Sequence, residues 1–418
     1  MPRRDLLQRF VGTSVLTLGT QLLSACIGIV LVRILSKADY SFFAVFLAAS
    51  STGALLMNLG LNITLSAHIA RQRDDAVELN LTVATYSWLN VLLGLLSLSI
   101  LLPFSYTMLD QLALSPSEIG LTLAAIAAAA ALQQYVMFWA AISSGLERPS
   151  LGAFIVLVQA LYRMVMILPL LLFPGQLQLV ALQLTALAGA ALYVHWQRPR
   201  ILKGFLELES AIRPRLAELA AAFTSVRPHI VSTIYFALQG GITVFVASLF
   251  SAQETIANVS ALSRFALLFA VANTVNNSVF LPLLSRRRTQ RRLTTVYFAL
   301  NIGFASLLTG LAYVFPQMFL FILGPQYYGL DLELSLSFLS ASVAHMTGML
   351  YIFLVSHDRA ANQYLAVPAT LLMQCLALSV LDISSTAGVQ LFSIFGALGS
   401  LLVQILLFAI NRPVVNRR

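Results

Sequence analysis

The stretch Val11–Arg73, VGTSVLTLGTQLLSACIGIVLVRILSKADYSFFAVFLAASSTGALLMNLGLNITLSAHIARQR, has a counterpart later in the chain. Slid forward by 215 positions without a gap, it lands on Val226–Arg288, VRPHIVSTIYFALQGGITVFVASLFSAQETIANVSALSRFALLFAVANTVNNSVFLPLLSRRR. Each copy reads as two long apolar helices joined by a short polar turn, with a basic run after the second. The turn Ser36–Lys37–Ala38–Asp39 falls on Ser251–Ala252–Gln253–Glu254. Asn58 and Asn62 fall on Asn273 and Asn277, and Arg71 and Arg73 on Arg286 and Arg288. A polar stripe, Thr17, Thr20, Ser24 and Gly28, falls on Ser232, Tyr235, Gln239 and Thr243. Identity is low, so the weight lies in the joint register of turn, stripe, Asn pair and basic end. The chain reads as two halves built on one plan.

Working outward from this repeat, composition sets the medium. The 418 residues are 59% hydrophobic and only 10% charged, with a mean hydropathy of +0.86. An average soluble chain carries about 25% charged residues. Apolar runs of about 20 residues separated by short polar breaks are membrane-spanning helices, and the period-2 alternation of an outer-membrane barrel is absent. Twelve spans are predicted at roughly 10–35, 41–66, 81–103, 121–144, 151–173, 179–196, 229–250, 256–284, 295–317, 332–356, 364–382 and 387–410. Pro103, Pro116, Pro149, Pro174, Pro282, Pro316 and Pro325 fall at or near the expected ends, and Pro169 and Pro368 fall inside spans and are expected to bend them. The fold expected is an all-α polytopic membrane protein with two six-helix halves, 1–196 and 229–418, joined by a linker at 197–228. In that linker Ile201, Phe205, Leu208 and Ile212 recur at helical spacing among Lys203, Glu207, Glu209 and Arg213, the pattern of an amphipathic helix on a membrane surface. Six spans per half give both halves the same orientation, about an axis along the membrane normal.

The net charge of +9 is a topology signal rather than a nucleic-acid footprint. Outside the apolar segments every basic residue except Lys37 falls in alternate loops on one side, which predicts both termini in the cytoplasm. The two cysteines, Cys26 and Cys375, lie in apolar segments and offer neither a disulfide framework nor a metal site. Leu23–Ser24–Ala25–Cys26 matches a lipoprotein cleavage box, but the apolar run continues to Leu35, too far for a signal segment.

Charge inside the spans is one-sided. No acidic residue is expected mid-span, whereas Arg163 lies near the middle of the fifth span with Gln159 one turn back and Tyr162 beside it. Arg264 lies within the eighth span, and Arg33 two residues before an outer turn. Burying an arginine in lipid costs about 2.5–3.5 kcal/mol on insertion scales, so each must face a cavity, a partner or the interface. Two readings stand: packing arginines bonded to backbone carbonyls, or a cavity site whose planar forks receive phosphate oxygens. Gln21 and Ser24 in the first span, Asn58 and Asn62 in the second, Gln159 in the fifth, Tyr235 and Gln239 in the seventh and Asn273 in the eighth suggest a polar cleft suited to sugar hydroxyls. The bland alternative for each is interhelical hydrogen bonding. His345, mid-span in the tenth helix, is a candidate coupling group or a satisfied core histidine. Glu147–Arg148 matches Asp358–Arg359 at an offset of 211, a candidate cytoplasmic gate or a pair of solvated turns. Phosphate-binding loops, metal-ligand spacing and nucleophile elbows are missing from the sequence, so no enzyme, cofactor or metal is expected.

At this point the chain resembles the O-antigen/polysaccharide flippases, the polysaccharide transporter family of the multidrug/oligosaccharidyl-lipid/polysaccharide exporter superfamily. The residues that carry the resemblance are the Thr17–Leu35 helix and the run Val32–Arg33–Ile34–Leu35–Ser36–Lys37–Ala38–Asp39–Tyr40. That run is similar to the family's Arg–x–Leu–(Gly/Ser)–x–x–(Asp/Glu)–Tyr turn, with Ser41 where the family often has Gly. Leu59–Gly60–Leu61 and Leu281–Pro282–Leu283–Leu284–Ser285 also fit. The resemblance implies a V-shaped alternating-access bundle carrying an undecaprenyl-pyrophosphate-linked oligosaccharide from the inner to the outer leaflet of a bacterial inner membrane. It further implies contact with membrane lipid and, as partners, a polysaccharide polymerase and a chain-length regulator. Rival readings are a MATE-like multidrug exporter, expected to hold a carboxylate inside its helices, and a lipid II flippase, expected to add two helices after the twelfth. A third is a non-transporting scaffold, which would tolerate Arg163→Ala.

Overall fold

The protein is described here as a computed structural model, which covers residues 3–72, 75–112, 114–172, 175–201, 214–286, 291–357 and 362–410. Among the described residues all regular structure is helical, and twelve helical segments are long and apolar enough to cross a membrane. Their positions follow the twelve expected apolar runs, the first being Gly12–Ile34 and the last Thr386–Ile410. This is a multi-pass membrane fold. Residues 202–213 of the expected 197–228 linker, with Phe205, Leu208 and Ile212, lie outside the described residues. From Leu216 the chain is already helical and runs without interruption into the seventh span.

The chain packs as two compact units, Met1–Ile27 with Asp39–Leu249, and Gly28–Ala38 with Phe250–Arg418. The units cut the chain differently from its repeat. The end of the first helix belongs to the second unit, and the seventh span belongs to the first.

In the first unit, α1 (Arg3–Ile34) contributes its part up to Ile27, followed by α2 (Lys37–Asn58), α3 (Leu61–Gln72) and α4 (Ala76–Asp110). Then come α5 (Pro116–Gly145), α6 (Pro149–Leu172), α7 (Gln176–Ile201) and α8 (Leu216–Phe250). Pro116 opens α5 behind a capping box, Ser115 accepting from the Glu118 N–H while the Glu118 carboxylate accepts from the Ser115 N–H. Pro103, expected near a helix end, lies instead inside α4, which continues to Asp110. With no hydrophobic drive between helices in lipid, close backbone approach and polar bonds hold them together. A Cβ on Gly145 of α5 would lie 2.8 Å from the Ser66 carbonyl of α3, and Gln134 donates to Asn90 at 3.0 Å.

The second span, expected as one helix over 41–66, is interrupted. Leu59 and Gly60 take positive φ angles of 41° and 85°, which separates α2 from α3. The freed backbone groups are met by side chains. Asn58 Oδ1 accepts from the Asn62 N–H at 2.9 Å, and Ser97 donates to the Leu56 carbonyl at 2.8 Å. Gly60 also admits α8, since a Cβ there would stand 2.5 Å from His229 Cβ.

In the second unit the expected single span over 256–284 changes winding along its length. It comprises α9 (Gln253–Leu262), a 3₁₀ turn at Ser263–Phe265, α10 (Ala266–Val275), a π turn at Asn276–Phe280 and α11 (Leu281–Arg286). The backbone stays right-handed at each junction. By the 215-residue offset, Asn58 and Asn62 on either side of the Leu59–Gly60 break correspond to Asn273 near the end of α10 and Asn277 in the π turn. Beyond follow α12 (Arg291–Val314), α13 (Pro316–Leu323), α14 (Asp331–Ser356), α15 (Ala366–Val380) and α16 (Thr386–Ile410).

Gly60→Ala places a side chain in the left-handed region and against His229. We expect it to destabilise the protein by about 2 kcal/mol or more. Gly310→Ala, where a Cβ meets nothing within 4 Å, is expected to leave the melting temperature unchanged or slightly raised, as followed by fluorescence-detected thermal unfolding in detergent.

Candidate functional site

The expected site residues divide between the units. Gln21, Ser24, Asn58, Asn62, Gln159, Arg163, Tyr235 and Gln239 belong to the first, and Arg33, Arg264, Asn273 and His345 to the second. In the first unit Arg163 is half-buried on α6, one turn after the buried Gln159. Tyr162 lies over the bare backbone of Gly189 on α7, 3.0 Å from where a Cβ would stand. Gln21, Ser24, Tyr235 and Gln239 are half-buried. Two hydroxyls of the first-span stripe bond within their own helix, Thr17 to the Thr13 carbonyl at 2.9 Å and Thr20 to the Leu16 carbonyl at 2.8 Å. These are bonds to the helix's own backbone, neither interhelical bonds nor cleft contacts. Asn58 acts first as the cap of α3.

In the second unit Arg264 sits on the 3₁₀ turn, half-buried, its stem lying across α1 at Gly28. A Cβ on Gly28 would stand 3.0 Å from Arg264 Cδ and 3.4 Å from its Nε. Arg33 is exposed, its guanidinium 5.6 Å from the centre of the Phe321 ring. The end of α1 therefore both receives Arg264, at Gly28, and carries Arg33, which reaches out to Phe321.

Asn273 Oδ1 and His345 Nδ1 are 2.7 Å apart. An amide oxygen only accepts, so Nδ1 carries the imidazole proton and Nε2 is an acceptor. His345 is 1% exposed, and Nε2 has no hydrogen-bond partner among the described residues. The rings of Phe269 and Phe304 lie 5.8 and 5.9 Å from the imidazole. Next to this pair runs a polar chain that sequence reasoning missed. Asn276 donates to Asn301 at 2.6 Å, Asn301 to the Tyr297 carbonyl at 2.8 Å, and the Tyr297 hydroxyl to the Met349 carbonyl at 2.9 Å. The visible signal was the doubled Asn276–Asn277 in an apolar run.

Of the candidate gate residues, Glu147 is exposed with φ 58°. Arg148 donates to the Ile201 carbonyl at 3.1 Å, tying down the end of α7. Asp358 and Arg359 lie outside the described residues. A contact that was not expected joins the repeated turns themselves. Lys37 Nζ lies 2.6 Å from Glu254 Oε1, and Gln253 donates to the Ala38 carbonyl at 3.4 Å. Ala38 and Gln253 are equivalent positions of the repeat.

No family model matches the chain, and comparison with curated proteins finds none similar to it. Solved structures do match. An inward-facing multidrug resistance MATE family transporter of the MOP superfamily superposes with a TM-score of 0.72 at 14% identity, over 95% of this chain and 97% of that one. The fold is that of the MATE transporters. A MOP superfamily transporter from Pyrococcus furiosus, described as having a binding pocket of reverse polarity that suggests a different function, gives 0.62 at 14% identity, over 96% of this chain and 94% of that one. An outward-facing MATE transporter gives 0.57 at 13% identity, over 96% and 95%.

Asn273→Ala leaves the buried imidazole N–H without its acceptor, and a loss of about 1–3 kcal/mol is expected in the same unfolding assay. Asn277→Ala, at an exposed position, is expected to cost much less.

Proposed function

We propose that this chain is a lipid-linked oligosaccharide flippase, moving an undecaprenyl-pyrophosphate-linked glycan from the inner to the outer leaflet of a bacterial plasma membrane. The observation that carries this reading is the placement of charge. Arg163 and Arg264 lie within the spans, whereas every described acidic residue of a membrane-spanning helix lies in its first or last turn. Examples are Asp39, Glu78, Asp110, Glu118, Glu254, Asp331 and Glu333. A permanent guanidinium presents a planar fork to phosphate oxygens. Half-buried Gln21, Ser24, Tyr235 and Gln239 offer hydrogen bonds to sugar hydroxyls, and the lipid tail stays in the bilayer. The Glu147–Arg148 turn and its repeat counterpart then fall on the cytoplasmic side with both termini, and polymerase and chain-length regulator would receive the product outside.

A MATE-like exporter is the second reading, favoured by the fold comparison. It calls for a carboxylate inside the helices to hold a proton, sodium or cationic drug, and the described spans place none mid-helix.

The test is mass spectrometry of lipid-linked oligosaccharides in cells lacking the chain, complemented with the native protein, Arg163→Ala or Arg264→Ala at matched expression. Completed units are expected to accumulate in the null strain, to clear with the native chain and to persist at least tenfold higher with either variant. Equal clearance by all three would return the arginines to packing, and no accumulation would favour the exporter.

A headgroup with roughly two negative charges, moving out of a cell that is negative inside, gains about 2.3 kcal/mol per charge per 100 mV. Collapsing the potential at constant pH is therefore expected to slow export in vesicles. An unchanged rate would remove the potential as the driving force.

A further inference from the structure

The end of α1 leaves the first unit at Ile27 and the chain returns to it at Asp39, so Gly28–Ala38 is a strap seated wholly in the second unit. Three contacts hold it. The Gln326 side chain donates to the Val32 carbonyl at 2.8 Å and the Leu35 carbonyl at 3.2 Å. The last carbonyls of a helix have no partner within it, so one amide from the Pro325–Tyr327 turn closes this helix end. Lys37 pairs with Glu254, with its ammonium also 5.6 Å from the centre of the buried Tyr327 ring. Gln253 reaches the Ala38 carbonyl.

Arg264 crosses the strap at a glycine, its Cδ, Nε and Nη1 3.0, 3.4 and 3.5 Å from where a Cβ on Gly28 would stand, and the stem of the strap's own Arg33 lies 3.5 Å from where a Cβ on Gly324 would stand. Gly324 needs glycine for its φ of 113°, but Gly28 is in a helix and has no such need. A glycine inside a helix costs about 1 kcal/mol relative to alanine. What its bareness provides is room for Arg264. An arginine side chain carries about 2 kcal/mol of rotamer entropy, and a two-point bond to an anion requires that the fork be aimed before the anion arrives.

We propose that the strap is the positioning element for Arg264, with Gly28 its seat and Gln326 the clamp that keeps the seat in register. The inference rests on the reading of Arg264 as a site for a phosphate-type anion and adds the residues that make it selective in geometry. Neither Gly28 nor Gln326 touches the anion.

The experiment uses the full-length chain in detergent, with inorganic pyrophosphate as the probe at fixed ionic strength and sulfate as the control. Binding is read by calorimetry for the native chain, Arg264→Ala, Gly28→Ala, Gly28→Leu and Gln326→Ala, and hydrogen–deuterium exchange of the 28–38 peptide is read without ligand. Arg264→Ala is expected to abolish pyrophosphate binding. Gly28→Leu and Gln326→Ala are expected to weaken it by about tenfold or more, and Gly28→Ala by less, following the side-chain volume. Gln326→Ala should speed exchange over 28–38 while the other helices keep native rates. If Arg264→Ala binds like the native chain, the anion reading itself fails. If Arg264→Ala loses binding while the Gly28 and Gln326 variants keep it, or if exchange over 28–38 is unmoved by Gln326→Ala, the strap inference fails and the anion reading stands. Farnesyl pyrophosphate run in parallel distinguishes a lipid headgroup from a free anion, and the strap variants are expected to weaken both.

Discussion

In an apolar medium a backbone N–H or C=O that loses its helical partner has no water to turn to, and each such group costs several kcal/mol. A helix can be interrupted there only where a side chain stands ready. This constraint sets where Asn, Ser and Gln appear in the chain. At the Leu59–Gly60 break Asn58 caps the new helix and Ser97 answers the Leu56 carbonyl. At the end of α1 a single amide, Gln326, answers two carbonyls. Among the polar residues that look like a cleft lining in the sequence, Asn58 serves the backbone first, and Asn273 is taken up by His345.

The same constraint orders the contacts that hold the strap. The Lys37–Glu254 pair has a side chain 67% exposed on the acidic partner, and exposed ion pairs are worth about 0–1 kcal/mol. The half-buried amide of Gln326 has more to lose, because its removal strands two carbonyls. The contact between Gln253 and Ala38 has a different meaning. It joins equivalent positions of the repeat.

How much of this was legible in the sequence follows from what each feature depends on. The twelve spans were legible because a bilayer demands long apolar runs, and Gly12–Ile34 or Thr386–Ile410 carry that demand residue by residue. The turn at Ser36–Asp39 and its copy were legible because polar residues in an apolar chain have few places to go. The interruptions were not. Leu59–Gly60 lies in an apolar run, and hydropathy does not report a φ of 85°. Nor did Pro103 end its helix. The assignment of Gly28–Ala38 to the second unit was hidden for a further reason: it depends on which chain segments pack together, and the repeat suggested chain-order halves. Of the site, the arginines were visible as rare charges, but the seat under Arg264 was not, since a glycine in a small-residue stripe reads equally well as helix packing.

A fold of this kind is permissive about cargo, and fold alone does not select a charge. What distinguishes one use from another is which sign of charge the helices keep away from their ends. A carboxylate there can be neutralised by taking a proton, so it tolerates an empty site. A guanidinium cannot shed its charge, and it must be compensated at all times by carbonyls, rings or a ligand. Arg33, exposed in the last turn of α1, has a ring beneath its guanidinium. Arg264, inside its span, lies over bare helix backbone at Gly28, which gives the side chain room without itself compensating the charge. A chain that carries such charges inside its spans has to build a seat for each. The glycine, at a helical position where intrinsic propensity alone favours alanine, is the trace of that requirement.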